Sequence, residues 1–233
     1  MKRNPRKRTV WGRYLHLKSF KMKVANKTLF VGQMLTRLKE RVQSLLAAEA
    51  RLLHRLGFSP NQLSGVGILF ALLAGCSYFA WHYNPLFLVA ASIFFLLSGF
   101  FDALDGVVAR IYGETTVFGG FLDSLLDRYA DSLVIIAIIA SGLCDPFWGS
   151  AALAGSLLVS YARARAEAAG AKMEAIGLVE RAERIIILTS ASLISFFYNQ
   201  ALSWGIILLA VLTNLTVLQR MLHFYNASKQ KES

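Results

Sequence analysis

Charge is scarce in this chain of 233 residues: 17% are Asp, Glu, Lys or Arg, against about 25% in an ordinary globular domain. Hydrophobic residues make up 55% and the mean hydropathy is +0.48, which excludes a soluble domain and implies a membrane protein. Cysteine is nearly absent. Cys76 falls in an apolar run and Cys144 in a short loop, with no CxxC or His/Cys cluster, so neither a disulfide framework nor a zinc site is expected. Acids are missing altogether from residues 1–33, which carry ten Lys or Arg, while the rest of the chain is close to neutral. The net charge of +11 therefore lies ahead of the first apolar run, where it suits anionic lipid and topology, and no nucleic-acid partner is expected. No short apolar stretch with a small-residue cleavage site follows it, so a cleaved signal peptide is not expected either.

Hydrophobic patterning divides the rest. Residues 1–33 form a basic extension with little periodicity. Over residues 34–57 the apolar positions Leu35, Leu38, Val42, Leu45, Leu52 and Leu56 recur at helical steps between arginines and lysines, which predicts an amphipathic helix on the membrane surface. Six apolar runs then fill residues 58–225, at about 62–81, 86–110, 119–142, 147–168, 184–199 and 203–223, followed by a tail at 226–233. The expected fold is an all-α integral membrane protein with six transmembrane helices behind a juxtamembrane helix. Lys and Arg are absent from the turns near 82–85, 143–146 and 199–203, which predicts cytoplasmic termini and a multi-pass protein of the cell membrane.

Five carboxylates interrupt the apolar runs, although each costs roughly 2.5–3.5 kcal/mol at a helix centre. Asp102 and Asp105 are three apart near the end of one run, and Asp123, Asp127 and Asp131 are four apart at the start of the next. Those spacings put each set on one helix face. Antiparallel neighbours would bring both sets to one depth, and an all-oxygen cluster suits Mg²⁺ or Mn²⁺ rather than zinc. The plainer alternative is a network of ion pairs with Arg110, Arg128 or other helices. Gly106, Ala109, Gly119 and Gly120 clear the helix faces beside the acids, and Arg110 offers a guanidinium fork to phosphate or carboxylate.

Asp102, Asp105, Gly106, Ala109, Arg110, Gly119, Asp123 and Asp127 read DxxDGxxAR, eight residues, then GxxxDxxxD. This pattern resembles the signature of the CDP-alcohol phosphotransferases, membrane enzymes of phospholipid synthesis, and the SPNQLS stretch at 59–64 resembles the segment opening their first transmembrane helix. The resemblance implies a CDP-activated lipid, CDP-diacylglycerol or CDP-archaeol, attacked by the hydroxyl of a small alcohol with release of CMP. It implies Asp102, Asp105, Asp123 and Asp127 as ligands of two Mg²⁺ or Mn²⁺ ions, with Asp127 either a shared ligand or the general base. Gly106, Ala109, Arg110 and Gly119 would line the CDP-lipid site, although Arg110 is equally suited to pair with a carboxylate. A homodimer and a cytoplasmic active site are also implied.

A second polar cluster bears on the acceptor. Arg163 and Arg165 close one apolar run with Lys172 just beyond it, and Arg181 and Arg184 open the next, where several cations form a plausible site for an acceptor's phosphate. The positive-inside bias alone would also put basic residues here. The RARAE and ERAER stretches resemble the prokaryotic branch that uses inositol 1-phosphate, with glycerol 3-phosphate as the alternative acceptor. From another class, a cation-coupled transporter would also bury acids, but such sites usually lie at the bilayer midplane.

Overall fold

The computed structural model describes residues 46–173 and 176–232. Every regular element among them is a helix: α1 (residues 46–55), α2 (Pro60–Ala80), α3 (Leu86–Tyr112), α4 (Val117–Ala140), α5 (Pro146–Ala168), α6 (Arg181–Ser195) and α7 (Ala201–Glu232). The basic extension and the first half of the expected amphipathic helix lie outside the described residues. The chain divides into Met1–Glu49 and Ala50–Ser233, and the second unit carries the features that follow.

Local sequence sets the helix ends. Ser59 caps α2 in a reciprocal box: its Oγ accepts from the Gln62 amide at 3.4 Å while Gln62 Oε1 accepts from the Ser59 amide at 2.9 Å, with Pro60 in the first turn. Helix α3 stops at Gly113, whose φ of 68° is left-handed, and Thr116 then starts α4 by accepting from the Gly119 amide at 2.9 Å. This short turn sets α3 and α4 antiparallel, acids toward acids. Asp145 caps α5 through the amides of Phe147 and Trp148, and Glu183 accepts from the Glu180 amide at 2.9 Å to open α6.

Among the described residues, three helical stretches are long and apolar enough to cross a membrane: α2, α3 and Ala201–Lys229 of α7. The other three expected crossings differ for physical reasons. Helices α4 and α5 have 24 and 23 residues, but each carries a charged end. Helix α6 has only 15 residues, about 22 Å of rise, which is short of a hydrocarbon layer about 30 Å thick. The expected tail at 226–233 is helical to Glu232, as a continuation of α7.

Helix α2 packs on α3 and α4, α5 packs on α7, and α6 bridges α3 and α7, while α4 meets α5. The apolar core gathers Tyr78, Leu88 and Phe95 with Ile135 and Ile138, and closes against Leu188, Leu202, Ile206 and Leu209. That core occupies the start of α3 and the end of α4. The opposite ends of these helices are thereby left to carry the acids, where α3 and α4 face the start of α6.

Candidate active site

Asp102 from α3 and Asp123 and Asp127 from α4 each offer a carboxylate oxygen, and the three oxygens lie within 4.8 Å of one another. The four-residue spacing puts Asp123 and Asp127 on one face of α4, and Asp102 meets them from α3. Asp105 stands beside the trio, buried, with its Oδ2 accepting from the hydroxyl of Ser64 on α2. Ser64 also donates to the Pro60 carbonyl at 3.2 Å, so the capped first turn of α2 holds this acid in place.

Arg181, the first residue of α6, reaches into the cluster. Its Nη1 contacts both Asp102 and Asp127, and its Nε lies 3.4 Å from Asp131 Oδ1. Asp131 also receives Arg184 Nη2 at 2.9 Å, and the side chains of that pair are only 8% and 6% exposed. Desolvating both charges makes each depend on the other, since a lone buried charge is far more costly than the pair. Carboxylate oxygens drawn toward one point by a guanidinium are a donor set that a hard divalent cation fits. All three candidate ligands are oxygen, as Mg²⁺ and Mn²⁺ prefer.

Two cavities border the acids. One, of about 200 Å³, is bordered by Asp105, Gly106, Ala109, Arg110, Gly119 and Asp123. Arg110 folds over Gly106: a Cβ there would sit 3.2 Å from its Nη1. Among the described residues Arg110 makes no ion pair with a carboxylate, so its guanidinium is directed to the cavity rather than to the acids. The second cavity, of about 170 Å³, lies on the other side, with Asp127, Asp131, Arg163, Arg181, Arg184 and Arg220 around it. Ser156 and Arg184 are both on its wall, and Ser156 Oγ and Arg184 Nε are buried with no hydrogen-bond partner among the described residues.

The match to the CDP-alcohol phosphatidyltransferase model runs over residues 58–217. This chain belongs to that family. The similar proteins include an archaetidylinositol phosphate synthase of Pyrococcus horikoshii, 39% identical over 85% of this chain and 99% of its own length. A phosphatidylinositol phosphate synthase of Mycobacteroides abscessus is 35% identical over 74% of this chain and 80% of its own. Among solved structures, the phosphatidylinositol phosphate synthase of Mycobacterium tuberculosis with CDP-DAG bound is 32% identical, with a TM-score of 0.63 over 77% of this chain and 93% of that one. The same enzyme has been solved with manganese and citrate, at a TM-score of 0.63 over 77% of this chain and 88% of that one.

The chain is accordingly a membrane transferase of phospholipid synthesis, and the transporter alternative is set aside. Within this CDP-alcohol phosphatidyltransferase the basic cluster divides. Arg163, Arg181 and Arg184 reach the second cavity, whereas Arg165 lines a separate apolar groove and exposed Lys172 is not on the cavity wall. Residues two apart on a helix point about 200° from each other, so Arg163 and Arg165 of α5 cannot serve one site. Two residues of the site escape a reading of the sequence. Arg220 of α7 is 2% exposed and donates to the Val159 carbonyl at 2.6 Å and the Ile176 carbonyl at 2.8 Å. Glu180 lies 3.6 Å from Arg220 Nη2 and 4.0 Å from Arg163 Nη1. The available signal for Arg220 is an arginine inside an apolar run, which is a functional marker in membrane helices.

Proposed function

We propose that this enzyme transfers a phosphatidyl-type group, diacyl or archaeol-based, from a CDP-activated lipid to a hydroxyl of a phosphorylated polyol, most specifically inositol 1-phosphate. The observation that carries this proposal is the arginine-walled cavity beside Asp127, on the side of the acids away from Gly106 and Arg110. Arginine forks match a phosphate monoester, and Arg163, Arg181 and Arg184 would hold it. Glu180 and Ser160 on the same wall offer partners to the hydroxyls of a polyol, which a glycerol phosphate would use less fully. The names of the Pyrococcus and Mycobacteroides relatives agree with an inositol phosphate acceptor.

The CDP-lipid would occupy the cavity of Gly106, Ala109, Arg110 and Gly119, with Arg110 on the diphosphate. Asp102, Asp105, Asp123 and Asp127 would hold two divalent ions, Mg²⁺ or Mn²⁺. When bound, these would neutralise the diphosphate and stabilise the attacking and leaving oxygens of an in-line displacement. Asp127 borders the acceptor cavity and is suited to accept the proton of the attacking hydroxyl. That oxygen forms a bond to the lipid-side phosphorus as the bond to the cytidylyl phosphate oxygen breaks, and CMP departs. Arg181 orients Asp102 and Asp127 for this exchange. Six membrane crossings, a surface-lying juxtamembrane helix, cytoplasmic termini and active site, and a homodimer complete the proposal.

The test is purified protein with Mg²⁺, CDP-diacylglycerol or CDP-archaeol, and one acceptor at a time, with CMP measured. CMP release with inositol 1-phosphate and not with glycerol 3-phosphate is expected. Release with glycerol 3-phosphate alone would overturn the acceptor, and release with neither would overturn the proposed reaction.

A further inference from the structure

A third cavity, of about 430 Å³, is lined by none of the clustered acids. It is a groove between α5 and α7, floored by Leu158, Ala162 and Ala166 on one side and Val217, Met221 and Phe224 on the other. Two arginines touch it. The guanidinium of Arg220 is committed to two carbonyls and Glu180, as described above. Arg165 is exposed and makes no ion pair among the described residues, so it is the charge the groove has to offer.

The position of the groove along the bilayer follows from α7. Val217, Met221 and Phe224 lie in the last part of the stretch Ala201–Lys229 that is apolar enough to span a membrane. Helix α5 ends at Ala168, three residues past Arg165. The groove therefore opens where an apolar span gives way to charge, and Tyr161, 64% exposed, stands on its rim as aromatic residues do at the interface. An apolar floor beneath one unpaired cation is complementary to an amphiphile with an anionic head.

We propose that the α5–α7 groove binds one anionic phospholipid of the surrounding bilayer, an acyl chain lying between Ala162 and Met221 and the headgroup phosphate on Arg165. The site goes beyond the transfer reaction. It depends on α7 spanning the membrane and not on the acceptor or on turnover.

The experiment places the full chain in nanodiscs of phosphatidylcholine with a minor fraction of phosphatidylglycerol, extracts it in detergent, and counts retained phosphatidylglycerol by native mass spectrometry. Arg165→Gln is expected to lower retention about fivefold, the effect of one basic residue at an anionic surface. Arg55→Gln, which removes the same charge from exposed α1, is expected to leave it unchanged. Ala162→Phe, or Ala169→Leu if the first does not fold, fills the groove with Arg165 intact and is expected to lower retention as well. Equal losses from Arg165→Gln and Arg55→Gln would reduce the effect to diffuse surface charge and overturn the site. Retention unmoved by Arg165→Gln and the filling variant would also overturn it. So would unmoved retention with an altered oligomeric state, which would make the groove a contact between copies. Because CMP release is not the readout, failure of the transfer assignment would leave this result readable.

Discussion

Nη1 of Arg181 stands 2.5 Å from Oδ1 of Asp127, so the first residue of α6 is tied to the acid that borders the arginine-walled cavity. The same nitrogen contacts Asp102. A side chain that sequence alone assigns to an acceptor's phosphate is thus also a partner of two candidate metal ligands.

Arg181→Ala should therefore do more than weaken acceptor binding. An increase in KM for the acceptor is expected together with a fall in kcat of about 100-fold, the scale of losing one positioned charge at a reacting centre. Arg163 pairs with Glu167 and Glu180, neither of them a candidate metal ligand, so Arg163→Ala should raise the acceptor KM with little change in kcat. Steady-state kinetics with the acceptor varied distinguishes the two.

Arg184→Met should destabilise the protein by about 1–3 kcal/mol, less than a fully stranded buried charge costs, because the Asp131 carboxylate loses its nearer partner but keeps Arg181 Nε at 3.4 Å. The double variant Asp131→Asn, Arg184→Met should recover part of that loss. Thermal unfolding in detergent of the single and double variants measures the coupling.

These charges also show how far the sequence can be read. The eight identities from Asp102 to Asp127 announce the acid cluster because helical spacing fixes which side chains share a face, and the short turn at Gly113 does the rest. Proximity in sequence groups Arg165 with Arg163, although their helical phase separates them. Arg220 lies about 40 residues from the cluster it completes, and only the packing of α7 on α5 brings it there. The shortness of α6 is hidden in the sequence because Phe196 to Tyr198 are apolar yet turn the chain instead of extending the helix.

Gly106→Ala is expected to fold normally, since a Cβ there meets only the mobile end of Arg110 at 3.2 Å. The guanidinium must shift within the cavity proposed for the CDP-lipid. A rise in KM for the CDP-lipid of about tenfold, with the acceptor KM unchanged, is the expected result, on the scale of one weakened charge-assisted hydrogen bond.

Far from the acids, burial pushes the Cys144 thiol up to about 11, with nearby Asp145 adding to the shift. About one thiol in a thousand is then ionised at pH 8, so maleimide labelling of a Cys76→Ala protein should be slow. The rate should climb as the pH approaches 11 or when the protein is unfolded. Mass spectrometry of labelled protein over time follows it.

The most direct test titrates Mn²⁺ into detergent-purified protein and its Asp123→Asn variant, following the electron paramagnetic resonance signal of free metal. Asp102 on α3 and Asp123 and Asp127 on α4 converge within 4.8 Å, and if they jointly hold the ion, losing one carboxylate should weaken binding by at least about tenfold, the scale set by one charge-assisted contact, without altering assembly. Equal Mn²⁺ binding by the two proteins, or none by either, would contradict a shared metal centre between α3 and α4.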